Sequence, residues 1–188
     1  MKLSLLLPLA TLVLWTASAQ TSIPIFNPVF QDDTLECNPG SNCGYSGITG
    51  WIIGPGTNIS KFSTSQYPGA PAEGVFVAAI GNSSVTGSIL QTLGATVQAN
   101  TTYTLRLSIG ARSDYSFTGY LASLMAGNVT VASNHSATPV GGSFITDTIV
   151  YNSGATPAQL GQPLQIIVKS VGTGQVNVGG ASLTYAPE

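Results

Sequence analysis

Between positions 103 and 109 the side chains alternate without a break. Tyr103, Leu105, Leu107 and Ile109 are apolar, while Thr104, Arg106 and Ser108 between them are polar. A period of two is the signature of a β-strand with one dry and one wet face. Positions 87–93 form a second candidate strand, and 94–100 are polar enough to turn the chain between the two. Further short strands are expected at 23–26, 51–53, 75–80, 120–126, 129–131, 144–151 and 164–169, and no stretch carries a capped helical stripe. Positions 31–50 and 61–71 read as loops, the second because Pro68 and Pro71 interrupt regular structure. In the last strand Val176 and Val178 share one parity, whereas Ala181, Leu183 and Tyr185 share the other. A strand changes faces only by inserting a residue, so a β-bulge is expected at Gly179-Gly180. About ten short strands spaced 8–15 residues apart predict an all-β, antiparallel β-sandwich of jelly-roll type.

The N-terminus stands outside this pattern. Lys2, the apolar run 3–14 and the small residues Ala17-Ser18-Ala19 have the layout of a secretory signal peptide, with cleavage expected after Ala19. The apolar run is shorter than the ~20 residues of a membrane span, and no later run is longer. Residues 1–19 are thus read as the signal peptide and 20–188 as one β-sandwich domain, destined for the secretory pathway or the extracellular space. Charged residues are only 6% of the chain, and hydrophobic residues 43%. A core can form, but the surface must be dressed with Ser, Thr, Asn and sugar. Five sequons are candidate N-glycosylation sites, at Asn58, Asn82, Asn100, Asn128 and Asn134. The net charge of −2 and the lack of a basic cluster argue against nucleic acid as a partner. Cys37 and Cys43, the two cysteines, bracket a short Pro-Gly loop and are expected to form a disulfide.

Most hydrolytic chemistry is hard to assemble from these residues. The single histidine, His135, lies inside a sequon, where a triad base would lack orientation. Ligands for catalytic zinc are too few, and none of the carboxylates sits in a motif that would pair it for glycoside hydrolysis. The polar loop after the alternating strand remains, with Arg112, Asp114 and Tyr115 as candidate catalytic residues. Arg112 could grip an anionic oxygen while Asp114 or Tyr115 moves a proton; equally, Arg112 and Asp114 could be a loop-stabilising ion pair. Trp51, Phe62, Tyr67, Tyr120 and Lys169 are candidate substrate-binding residues, with Trp51 open to the alternative of filling the core. A cavity lined by Arg112 and Tyr115, with Trp51 on its wall, is expected at the end of the strand 103–109.

Several phrases carry a family resemblance: Asn27-Pro-Val-Phe30, Ile48-Thr-Gly-Trp51, Ser88-Ile-Leu-Gln-Thr-Leu93, Gln98 to Leu105, Leu160-Gly-Gln-Pro-Leu164 and Gly174-Gln-Val-Asn-Val178. Over nearly all of residues 20–188 the chain resembles the Stig cyclase family and its secreted relatives. The resemblance implies a jelly-roll similar to carbohydrate-binding modules, often with bound calcium, and a cyclase of terpenoid-indole metabolites that needs no redox cofactor. A looser similarity, in size and signal peptide, links the chain to fungal hetero-Diels–Alderases of tropolone-sesquiterpenoid pathways.

Two departures bear on chemistry. The Stig pattern has Phe-Asp-Asn-Val in the last strand, its Asp acting as an acid, where this chain has Val178-Gly179-Gly180-Ala181. The pattern also places Glu after Asn-Pro-x-Phe, where this chain has Gln31, leaving Asp32 and Asp33 as weak candidates for a structural calcium. The resulting expectation is a cofactor-independent cyclase or pericyclase of secondary metabolism, with hetero-Diels–Alder cycloaddition as its reaction and a small hydrophobic metabolite as substrate. Homodimerisation is compatible with it. The alternative is a secreted carbohydrate-binding β-sandwich without turnover, presenting Trp51, Tyr67 or Tyr115 to a sugar chain.

Overall fold

A computed structural model describes residues 19–31, 43–70 and 75–188. Asp32, Asp33 and Cys37 lie outside the described residues, as does the side chain of Cys43. The described chain is all-β, with two antiparallel sheets packed face to face. No helix among these residues is long and apolar enough to cross a membrane.

One sheet has seven strands. Its order is β10 (Ser143–Asn152), β7 (Thr101–Ala111), β12 (Val176–Pro187), β5 (Val75–Ile80), β4 (Thr57–Phe62) and β2 (Cys43–Tyr45), with β1 (Thr21–Ile23) also paired to β12. The other sheet has five, in the order β3 (Ile52–Ile53), β6 (Ser88–Thr96), β11 (Pro163–Ser170), β8 (Tyr120–Ala126) and β9 (Val129–Asn134). The alternating segment is the middle of β7, between β10 and β12. Tyr103, Leu105, Leu107 and Ile109 are all buried in the core between the sheets. The same parity on β12 and β5 adds Val176, Val178, Ala78 and Ile80.

The register of β12 against β7 shifts between Val178 and Gly180, so the expected bulge is present. It lets Val178 and Leu183, on opposite parities, both enter the core. Other boundaries differ from expectation. The first strand is 21–23 and not 23–26, because the amide of Phe26 is bound by the Gln91 side chain instead of a ladder. Residues 43–45 form an edge strand inside the expected polar loop, and β4 runs through Lys61 and Phe62 before the proline-rich segment. Strand β6 continues through Gly94 to Thr96 where a turn was expected.

The phrases shared with the Stig pattern converge on one structural knot. Phe30 packs on Trp51 with ring centroids 5.7 Å apart, and the Trp51 indole N–H donates to the Asn27 carbonyl at 3.3 Å. Gln91 Nε2 donates to the carbonyls of Phe26 and Gly50 at 2.8 and 3.0 Å. Trp51 is 7% exposed. It fills the core, as its second reading had it.

Candidate functional site

The outer face of the seven-stranded sheet carries a second, smaller apolar cluster: Phe62, Tyr67, Val77 and Ala79, with Phe144 against them. Val77 and Ala79 have the opposite parity to the core residues of β5. That strand is therefore apolar on both sides, as its sequence required. What covers this face is the segment 63–70, which folds back from the end of β4.

Local hydrogen bonds shape that segment. Gln66 Oε1 accepts from the amide and hydroxyl of Ser63 at 3.0 and 2.9 Å, and the Tyr67 amide donates to the Ser63 carbonyl at 3.2 Å. Three more bonds staple it to the loop after β7. Ser113 donates its amide to the Gln66 carbonyl at 3.2 Å and its hydroxyl to the Ser65 carbonyl at 2.9 Å. Gln66 Nε2 donates to Asp114 Oδ2 at 2.9 Å.

Arg112 lies at the centre of this junction. Its Nε and Nη2 donate to the two oxygens of Asp114, each at 2.8 Å, a bidentate pair. One face of the guanidinium covers the Phe62 ring at 4.5 Å, and the Tyr115 ring lies at 5.2 Å. Nη1 reaches Gln175 Oε1 at 3.4 Å, and Gln175 in turn donates to the Gly81 carbonyl. The Arg112 side chain is 14% exposed and that of Asp114 48%. The hydrogen bonds from Arg112, helped by Gln66, hold the Asp114 carboxyl below the usual carboxylate range. Asp114 is thus an ionised acceptor and no source of protons near neutrality. The Tyr115 hydroxyl accepts from the Ser83 amide at 2.7 Å, which ties the loop to the segment after β5.

Beside this junction is an apolar cavity of about 370 Å³, lined by Tyr67, Gly69, Ala70, Val75, Gly142, Ser143 and Phe144. Tyr67 and Phe144 stack with centroids 4.5 Å apart and planes at 21°. The Phe144 ring lies flat over β7, where a Cβ on Gly110 would come within 2.2 Å of it. Burial pushes the Tyr67 phenol above its ordinary value, partly offset by Asn177 and Arg112. Asn177, fully buried on β12, hydrogen-bonds the Tyr67 hydroxyl, and its Oδ1 has no partner among the described residues. The described lining therefore offers a neutral phenol, two stacked rings and small residues, with no ionised group among them.

The expected site is corrected in part. Arg112 and Tyr115 adjoin the cavity through Phe62 and Tyr67 but are not part of its lining. Tyr67 lines it, and Phe62 supports it. Tyr120 is elsewhere, buried in the core, where its hydroxyl donates to Asp147 Oδ2 at 2.6 Å. Lys169 is exposed on β11 of the other sheet. Phe144, Gln66 and Asn177 were missed. A signal for Phe144 existed: it is the aromatic on a parity otherwise filled by Thr146, Thr148 and Val150, and it faces Gly110 in register. Among the described residues no three His, Cys, Asp or Glu side chains are grouped as metal ligands.

No curated protein sequence matches the chain. Solved structures do. A cyclase from Fischerella sp. in its apo form aligns with a TM-score of 0.75 at 24% identity, over 89% of this chain and 97% of its own. The Stig cyclase Fisc from Fischerella sp. TAU, bound to (3Z)-3-(1-methyl-2-pyrrolidinylidene)-3H-indole, aligns at 0.74 and 26% identity, over 90% and 99%. The carbohydrate-binding module TmCBM61, bound to β-1,4-galactotriose, shares the fold at 0.56 and 10% identity, over 87% and 98%. The HpiC1 cyclase family model matches residues 21–179, most of the described sandwich, and this chain belongs to the HpiC1-like cyclase family.

Proposed function

We propose that the chain is a cofactor-independent cyclase that closes a ring in a small, unsaturated hydrophobic metabolite by holding it against the Tyr67–Phe144 stack. The observation that carries this reading is the cavity itself, apolar, floored by stacked rings and without an ionised side chain among its described lining residues, in a chain of a cyclase family. Relatives bind flat, indole-containing molecules: the 3H-indole above and, in another Fischerella sp. TAU complex, 4-(1H-indol-3-yl)butan-2-one. Gly179 stands where the Stig pattern has its acid. Acid-driven cyclisation therefore lacks its proton donor here, whereas a cycloaddition needs none. Orienting a diene and its partner at reacting distance can lower a barrier by about 7–11 kcal/mol.

In this reading Tyr67 and Phe144 hold the substrate. Arg112 and Asp114 are positioning residues that fix segment 63–70 over the sheet, and hetero-Diels–Alder closure is the reaction. The chain would work in the secretory pathway or outside the cell after loss of residues 1–19. Incubating the purified protein with the unsaturated metabolites of its biosynthetic gene cluster tests the proposal. Ring closure faster than in buffer, and lost in Phe144→Ala, is expected. Unchanged activity in both Tyr67→Ala and Phe144→Ala would remove the cavity from the reaction.

A further inference from the structure

A second depression lies farther along the same outer face. It has a volume of about 290 Å³ and is lined by Arg106, Leu107, Ser108, Thr146, Gly180, Ala181 and Ser182. Arg106 is near the middle of β7, flanked in register by Thr148 on β10 and Ser182 on β12. Each of the other described basic side chains has a different setting. Lys61 covers the Phe76 ring, Arg112 is clamped to Asp114, and Lys169 is on the opposite sheet. The one salt bridge among the described residues is that of Arg112, and Arg106 has neither a charged nor a hydrogen-bonding partner there. No carboxylate is among the described residues that line the groove. Asp147, opposite Leu107 in register, points the other way and accepts from Tyr120 and Asn134. The hydroxyls of Ser108, Thr146 and Ser182 are likewise without intramolecular partners among the described residues.

The bulge explains why there is a groove at all. Two successive residues without side chains, Gly179 and Gly180, leave the sheet surface open beside Ser108. A Cβ on Gly179 would lie 3.1 Å from the Phe144 ring and 3.4 Å from Ser108 Oγ. The groove therefore runs up to the ring that walls the apolar cavity. From Gly110, beneath Phe144, to Arg106 is four residues, or about 13 Å of strand.

We propose that this groove is a subsite for an anionic oxygen, a carboxylate or an enolate, on an elongated unsaturated ligand whose apolar end lies toward Phe144. A guanidinium with its donors free can grip such a group in two-pronged fashion, and the surrounding hydroxyls supply further donors. The anionic end of the assignment rests on Arg106 and the groove; its junction with Phe144 rests on the cyclase reading.

Biphenyl-4-carboxylate and its neutral amide, biphenyl-4-carboxamide, are probes of suitable length, titrated calorimetrically at low salt into the intact protein. The carboxylate should bind at least about fivefold more tightly than the amide. Arg106→Gln should abolish that preference, Arg106→Lys should keep part of it, and Lys169→Gln should leave it whole. Gly180→Val should weaken both probes, since a Cβ there has room, 3.6 Å from Val29, but its methyls would enter the groove. Equal affinities for acid and amide, no binding of either, or a preference that survives Arg106→Gln would overturn the proposal. Phe144→Ala should weaken both probes alike; if it changes neither, the extension toward the cavity is overturned. Because these are binding measurements, a failure of the cyclase reading would show separately, as absent turnover with the charge preference intact.

Discussion

The contact between Phe144 and Gly110 gives the most direct test of how the cavity is built. Gly110 has no positive φ, so alanine meets no backbone objection there. Its Cβ, however, would lie 2.2, 2.5 and 2.8 Å from three carbons of the Phe144 ring. Ordinary carbon contacts are about 3.5–4.0 Å, so the ring must move by about 1.5 Å, enough to break its stack on Tyr67. Losing that stack costs about 0.5–1.5 kcal/mol, and crowding a packed site costs about 1–3 kcal/mol. Phe144 is only half-buried and can swing outward, which favours the low end of the crowding cost. Replacing glycine within a strand returns about 0.5–1 kcal/mol. The net expectation for Gly110→Ala is a loss of about 0.5–2 kcal/mol, read by urea unfolding, with ring closure falling in parallel. The decisive arm is a double-mutant cycle. In a Phe144→Ala background the ring is gone, and Gly110→Ala should be neutral or stabilising. An equal cost in both backgrounds would show that the ring contact is not the cause, and the reasoning would fail.

Other outcomes follow from the same contacts. Arg112→Ala should release segment 63–70 and lower turnover at least tenfold, with Arg112→Lys recovering part of it, because an ammonium cannot reproduce the bidentate grip; equal turnover in all three proteins would make the pair a surface ion pair only. Tyr67 has a phenol raised above its ordinary 10.0 by burial, so its contribution to stability is complete below pH 10 and is lost as pH rises through the folded value. Unfolding titrations should therefore show a decline above pH 10 that is smaller in Tyr67→Phe. Asn100 and Asn128 are exposed at turns, whereas the Asn134 side-chain nitrogen points at buried Asp147 from 2.5 Å. Glycopeptide mapping should find sugar at the first two and none at Asn134. Protein from a eukaryotic secretory host should also show Cys37 bonded to Cys43 by mass analysis, and two free thiols would contradict this.

How much of this was legible in the sequence depended on whether the signal was local. The period of two in β7 placed its buried face correctly, because Tyr103, Leu105, Leu107 and Ile109 meet one core. The parity flip located the bulge because it is a fact of counting. The site was harder, since its parts lie on different strands. Arg112, Asp114 and Tyr115 are close in sequence and were grouped, whereas Phe144 and Asn177 join Tyr67 only through sheet order and the return of segment 63–70. Trp51 misled because its chemistry suits a sugar or substrate platform as well as a core. Only the convergence of Asn27, Phe30 and Gln91 around it decides between them.

Position 179 joins the scaffold to the chemistry. A side chain there would start 3.1 Å from the Phe144 ring and 3.4 Å from Ser108 Oγ. The carboxylate of an aspartate, two bonds farther out, would therefore contend with that ring for the same space. Near an apolar ring it would also lose solvation, which raises a carboxyl's pKa. An acid at the bulge would thus require the Phe144 ring to give way, whereas this chain has glycine at 179 and the ring beside it. A side chain at 179 would break no pair of the ladder, because Gly179 is the inserted residue and pairs with nothing on β7.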